Sequence, residues 1–297
     1  MERDQRLLLL SVWASAGFAV VSSVWGILVG SSMIVFDGLY SFASVGLSIL
    51  AVLALRFARR GPDDRFPWGR EAAEPVAVVV KAVALGALSA YAVVQGVVDI
   101  VQGGREVAVG WAVTYAALAT VVVLVVGLIL RRGGGSDLVR AEAAEWIGDA
   151  WLSVLVLVGF LVALVLVQTG RNELAAYVDP AMVVLGSLVF LRVPARLVAD
   201  GMRELLAMSP PDAVLTRLRE IVEEVRQRYA LDDVVLRATK VGGRIDVDVL
   251  YVVSEHSAVW TVAQCDEVRV DLAGRLAALG YEPALTLSFT ADRGLTG

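Results

Sequence analysis

Cysteine and histidine are almost missing from this chain, which holds one of each, Cys265 and His256, in 297 residues. A lone cysteine excludes a disulfide-stapled secreted module. A lone histidine excludes most familiar transition-metal chemistry. Low-complexity runs are also lacking, which removes disorder and collagen. No basic patch with interleaved aromatics stands out, so nucleic acid is not an expected partner. What is present is apolar: 58% of the residues are hydrophobic and the mean hydropathy is +0.71. Soluble domains average about 45–50% apolar residues with glycine included, so this chain belongs at least in part in a bilayer.

Charge is unevenly spread. Residues 1–208 carry 17 acids and 16 bases, whereas 209–297 carry 14 acids and 10 bases. In the first part the charges gather at the ends of long stretches with none, namely 7–36, 38–55, 82–98, 107–130 and 150–170. A helix needs about 20 apolar residues to cross a hydrocarbon core of about 30 Å. The pattern predicts six spans, at 8–29, 31–55, 74–98, 108–130, 138–166 and 176–200. The first is too long for a cleavable signal peptide and lacks a small-residue cleavage site. With the N-terminus inside, the tail and loops 2–3 and 4–5 hold ten arginines, and the outer loops hold Arg105 and Arg171. Arginine-rich short loops stay in the cytoplasm. This predicts a multi-pass protein of the cell (inner) membrane with both termini cytoplasmic.

Ser209-Pro210-Pro211 closes the last span, because proline cannot continue a helix, and the pattern then becomes that of a small soluble domain. Val214, Leu218, Ile221, Val222, Val225 and Tyr229 recur at helical spacing, as do Val262, Cys265, Val268, Leu272, Leu276 and Leu279. Val234–Arg237, Ile245–Val249 and Leu285–Phe289 read as strands. The expected division is therefore 1–208, a six-helix transmembrane transport domain, and 209–297, a cytoplasmic α-β-β-α-β domain for regulation and dimerisation. A domain of about 85 residues gains from burying surface against a partner.

Ionisable side chains inside a span cost at least about 2.5–3.5 kcal/mol on insertion scales. Asp37 lies in the second span, Lys81 in the third, and Glu142, Glu145 and Asp149 open the fifth. Positions i, i+3 and i+7 share one helical face. Glu142, Glu145 and Asp149 have that spacing, and so do Asp37, Tyr40 and Ser44. Two helices facing each other would present an all-oxygen strip near mid-membrane, suited to Mg²⁺, Mn²⁺ or Fe²⁺. Taken alone, Glu142 also reads as a solvated interfacial charge, and Tyr40 and Ser44 as helix-packing residues. Lys81 has two readings: a structural ion pair with one of the acids, or a counter-charge that empties the site.

Several stretches together resemble the cation diffusion facilitator family. Arg140 to Asp149 resembles the family's span-five signature, and Phe36 to Ser44 its span-two signature. Phe66 to Glu74 is similar to the loop entering span three, and Val178-Asp179-Pro180 to the start of span six. The resemblance covers nearly the whole chain. It implies a homodimeric exporter of divalent metal driven by proton antiport, with a metallochaperone-like (ferredoxin-like) α+β domain after six transmembrane helices. It also implies Tyr40, Ser44, Glu145 and Asp149 as metal ligands, with Asp37 beside them. The departures matter as well. The family usually has His or Asp where Tyr40 and Ser44 stand, and zinc-transporting members commonly have His where Glu145 stands. Phe66 and Arg70 replace loop histidines, so no second metal site is expected there. Asp248, Cys265 and Ser288 fall about where other members bind regulatory metal, although Cys265 also reads as a core residue.

The leading expectation is export of a divalent cation (Mn²⁺, Fe²⁺, Mg²⁺ or Zn²⁺) as substrate, with no resident cofactor and no enzymatic activity. Ion and protons exchange at a carboxylate site between spans two and five, because carboxylates must be ionised to coordinate. The alternative is a transport-incompetent relative that serves as a partner subunit or regulatory scaffold. It is motivated by the loss of ionisable groups on span two and by the availability of Lys81. Transport of a monovalent ion or of protons alone is a third possibility.

Overall fold

The computed structural model describes residues 2–133, 137–254, 256–259 and 261–296. In hydrocarbon every backbone N–H and C=O must be satisfied within its own segment, so the long apolar runs become helices. These are α1 (Glu2–Val29), α2 (Ser32–Ala58), α3 (Ala73–Val101), α4 (Val109–Gly133) and α5 (Asp137–Gln168), then a one-turn α6 (Asn172–Ala175) and α7 (Val178–Leu205). Six stretches within them are long and apolar enough to cross a membrane: 9–29, 32–58, 73–101, 109–133, 142–168 and 172–205. They match the six spans read from the sequence. The last helix ends before Ser209-Pro210-Pro211, at the left-handed residue Ala207 (φ 52°). Pro194 lies inside α7.

Compactness divides the chain into two units, Met1–Leu50 with Lys81–Arg196, and Ala51–Val80 with Leu197–Gly297. This division cuts through α2, α3 and α7, whereas the 208/209 boundary follows the change of composition.

In the first unit α4 and α5 pack along each other and α1 lies against both. Val126 and Leu130 of α4, Val139, Ala143 and Trp146 of α5, and Phe18 of α1 share one apolar cluster. Small residues set the helix approach, as is usual where lipid supplies no hydrophobic drive between helices. A Cβ on Gly38 would fall 2.5 Å from the Ser23 backbone nitrogen of α1, so only glycine fits at that crossing. Gly30, at φ 78°, makes the tight link from α1 to α2. The start of α2 is capped from another helix. Asp179 of α7 is buried and accepts from Ser31 Oγ (2.5 Å), the Ser32 amide (2.8 Å) and the Met33 amide (3.3 Å). The Ser31 hydroxyl also accepts the Ile34 amide at 3.1 Å. A carboxylate satisfying orphan N–H groups at the positive end of a helix is favourable twice over, by hydrogen bonding and by the helix dipole.

In the second unit, α8 (Asp212–Arg228), β1 (Asp233–Val241), β2 (Arg244–Val252), α9 (Val262–Ala277) and β3 (Glu282–Thr290) form the α-β-β-α-β domain. The sheet order is β1-β2-β3, with β1–β2 antiparallel and β2–β3 parallel across α9. Alternation along β2 buries Ile245, Val247, Val249 and Tyr251 against Leu218, Val222, Val225, Val268, Leu272 and Leu276 of the two helices. The Tyr251 hydroxyl is kept in that core by donating to the Val222 carbonyl at 3.0 Å. The second helical stripe holds from Cys265 onward, but Val262 is 79% exposed. It occupies the first turn, just past the capping box of Thr261 and Gln264, where the helix has not yet reached the sheet.

One expectation from composition is corrected here. The α2–α3 connection does gather arginines around aromatic rings: Arg70 lies over Phe66 and Phe57, Arg60 over Phe57, and Arg65 over Phe66. Three of the four pairs are local in sequence, and only Phe57–Arg70 is brought together by the turn.

Candidate functional site

Two polar faces meet in the first unit. Asp37, Tyr40 and Ser44 of α2 and Glu142, Glu145 and Asp149 of α5 all line one cavity of about 630 Å³. The helical spacing that put each trio on one face also brings the two faces to a common space. Tyr115 of α4 and Phe190 of α7 complete the wall.

The six side chains differ in how they are held. Asp37 is half-buried and meets the Tyr115 hydroxyl, which itself is hydrogen-bonded to Ser22 Oγ of α1. The Tyr40 ring is wedged against Phe190 (centroids 4.8 Å apart) and Phe36 (5.8 Å). Its hydroxyl makes no hydrogen bond among the described residues. Glu142 is tied to α1: Ser11 Oγ donates to its Oε2 at 2.6 Å, and Trp146 Nε1 donates to Ser11 Oγ at 2.8 Å. Neither the solvated-charge reading nor the ligand reading anticipated this brace. Glu145 and Asp149 are accessible on the cavity wall, and among the described residues neither accepts a hydrogen bond. Asp149 lines the same cavity as Asp37, Tyr40 and Glu145.

Lys81 is not on this wall. Its Nζ donates to Ser48 Oγ at 3.0 Å, and Ser48 Oγ donates to the Ser44 carbonyl at 2.8 Å. It forms no ion pair among the described residues. The structural ion pair considered for it is therefore not made.

Among the described residues no three His, Cys, Asp or Glu side chains converge tightly enough to hold a metal by themselves. A cation in this cavity would take the Glu145 and Asp149 carboxylates and complete its shell with hydroxyls, such as Tyr40 and Ser44, or with water. Hard oxygen donors of that kind suit hard divalent cations and leave zinc possible. The weak regulatory set does not come together within the chain. Asp248 and Ser288 alternate with the buried Val247, Val249 and Leu287, so they occupy the open face of the sheet, whereas Cys265, on α9, packs against the core on the other face.

The residues that sequence reasoning missed are Tyr115, Ser22 and Ser11. Each is a hydroxyl in a charge-free stretch, and nothing in a one-dimensional pattern separates such a residue from a lipid-facing one. Asp179 entered the sequence reading only through the resemblance of Val178-Asp179-Pro180 to the start of span six, and nothing in the sequence marks it as the cap of α2.

The pattern described as the cation efflux transmembrane domain matches residues 8–206. The chain belongs to the cation efflux family. It is a multi-pass membrane transport protein of that family. Its relatives include the zinc transporter ZitB of Escherichia coli, 28% identical over 226 residues, covering 73% of this chain and 68% of that one. The manganese efflux system protein MneP of Bacillus subtilis is 22% identical over 210 residues, 69% of this chain and 70% of its own. A cadmium, cobalt and zinc/H⁺–K⁺ antiporter of Bacillus velezensis is 21% identical over 233 residues, 77% and 72%.

Proposed function

We propose that this cation efflux protein exports a divalent metal ion in exchange for protons, and that the ion is bound by Glu145 and Asp149 with Tyr40 and Ser44 completing the shell and Asp37 at its edge. The observation that carries the reading is that Glu145 and Asp149 open into one cavity without a hydrogen-bond partner among the described residues. Unpaired carboxylates inside a membrane are costly, so a ligand is the natural reason for them. Because metal and protons compete for the same oxygens, loading the ion releases protons, and reprotonation after release lets the empty carrier return. The names of the relatives, which transport zinc, manganese, cadmium or cobalt, support a divalent substrate. The excess of arginine at one set of loops supports cytoplasmic termini and outward export across the cell membrane. The open sheet face and small size of the C-terminal domain support a homodimer.

The test is metal-dependent proton flux in proteoliposomes with Zn²⁺, Cd²⁺, Mn²⁺, Fe²⁺, Co²⁺ and Mg²⁺. The Glu145→Ala, Asp149→Ala double variant serves as control. Flux lost in the control establishes the site, whereas flux retained in it places the ion elsewhere. A second reading, that of a transport-incompetent partner subunit, is favoured by Lys81 reaching Ser48, one turn from Ser44 on the same helix. On that reading Lys81→Ala gains metal binding that the wild type lacks, and metal binding by the wild type rejects it.

A further inference from the structure

Between Arg56 and Arg70 the chain carries five arginines and two aspartates, and the structure uses those arginines in two ways. Arg70 is spent inside the turn. Its guanidinium donates to the carbonyls of Arg60 (3.3 Å) and Gly61 (2.9 Å), pairs with Asp63, and lies 4.4 Å from the Phe66 ring centroid and 5.1 Å from that of Phe57. Only 8% of its side chain is exposed. Asp63 accepts the amides of Phe66 (2.8 Å) and Arg65 (3.1 Å). The Phe66 amide first, and then Arg70, hold its carboxyl below the usual carboxylate range. The turn is thus fixed from within.

Arg56, Arg59, Arg60 and Arg65 are left over. All four are exposed, and among the described residues their guanidinium groups form no hydrogen bond or ion pair. Arg60 and Arg65 rest over the Phe57 and Phe66 rings at 5.9 and 5.8 Å, which fixes their direction without occupying their donors. Asp64 is the exposed acid in this turn that opposes them.

Position decides what such a cluster meets. α2 is 27 residues long, and about 20 suffice for the hydrocarbon core. Its last turn, with Arg56, therefore reaches the headgroup layer, and the turn that follows lies at the level of lipid phosphates. Trp68, 82% exposed, is the kind of aromatic that settles at that interface.

We propose that Arg56, Arg59, Arg60 and Arg65 form a headgroup site for anionic phospholipid, pre-shaped by the Arg70–Asp63 staple. Guanidinium groups suit phosphate oxygens because they present paired donors in a plane. Basic clusters immediately beside a membrane helix are attracted to anionic lipid. The proposal rests on the membrane assignment of the family and is independent of the metal-site reading.

The test reads Trp68 directly. The full chain and its Trp68→Phe variant are reconstituted in phosphatidylcholine vesicles that contain either brominated phosphatidylglycerol or brominated phosphatidylcholine, and the difference in quenching isolates Trp68. The expected result is a preference of about tenfold for phosphatidylglycerol at about 0.1 M salt, collapsing towards parity at about 1 M. Arg59→Gln, Arg60→Gln, Arg65→Gln together remove most of it, and the matching triple lysine variant keeps part. Arg131→Gln, Arg132→Gln at the end of α4 leaves it unchanged. Equal quenching by the two lipids in the wild type overturns the proposal. So does an equal loss in the α4 variant, which would mean diffuse charge rather than a site. Inorganic phosphate that abolishes the preference more than chloride of equal ionic strength would assign the arginines to a soluble anion instead.

Discussion

The C-terminal domain and the helical unit treat their acidic side chains in opposite ways. In the domain several acids are ion-paired: Glu223 with Arg226, Asp271 with both Arg228 and Arg275, Glu224 with Arg275, Asp232 with Arg293. In the helical unit, where pairing matters more, Glu145 and Asp149 accept no hydrogen bond among the described residues, while Asp179 accepts from three groups. Water makes a lone charge cheap and an exposed ion pair worth little. Hydrocarbon makes a lone carboxylate expensive. Pairing is thus commonest where it matters least, and its absence at two membrane positions is the informative exception.

That contrast can be broken or sharpened by substitution. The largest effect is expected at Asp149→Asn, which should lower metal flux by about 100-fold while leaving thermal stability unchanged or raised. A fall in melting temperature as large as that of a core variant would show that the carboxylate serves the fold. Asp179→Ala is the converse. It strands three donors at the start of α2 and should cost about 2 kcal/mol, read as a lower melting temperature of the solubilised protein. Ser11→Ala leaves the Trp146 indole N–H and Glu142 without their partner and should cost about 1 kcal/mol by the same measurement. Glu223→Gln should change stability by about 0.5 kcal/mol or less, as an exposed pair on one helix does.

The Glu223 effect carries a pH signature. Hydrogen bonds from Arg226 and Gln227 hold its carboxyl down to about 2, against an ordinary value of 4.5. A carboxyl lowered by folding contributes its stability above the unfolded value and loses it as pH falls through the folded one. The difference between wild type and Glu223→Gln should therefore be full above about pH 4.5 and gone near pH 2. Unfolding curves of the two proteins across that range check it, and a difference that persists at low pH would point to packing instead.

Much of this was legible in one dimension because hydrophobic periodicity and charge depletion are themselves one-dimensional. The six spans, the α-β-β-α-β order and the two polar faces of α2 and α5 all follow from spacing. What spacing does not carry is which helix answers a given polar group. Glu142 looked like a solvated charge until Ser11, 131 positions away, proved to bind it. Lys81 looked ready for an ion pair and instead donates to Ser48. Of the arginine–aromatic pairs in the α2–α3 connection, only Phe57–Arg70 waits for the chain to reverse; the other three are local in sequence.

The cap at the start of α2 bears on movement. Because the carboxylate that closes that helix belongs to α7, α2 cannot slide or rotate at this end without tearing three hydrogen bonds or carrying α7 along. Any cycle that turns the Tyr40–Ser44 face from one side of the membrane to the other has to move the two helices as a couple at this end.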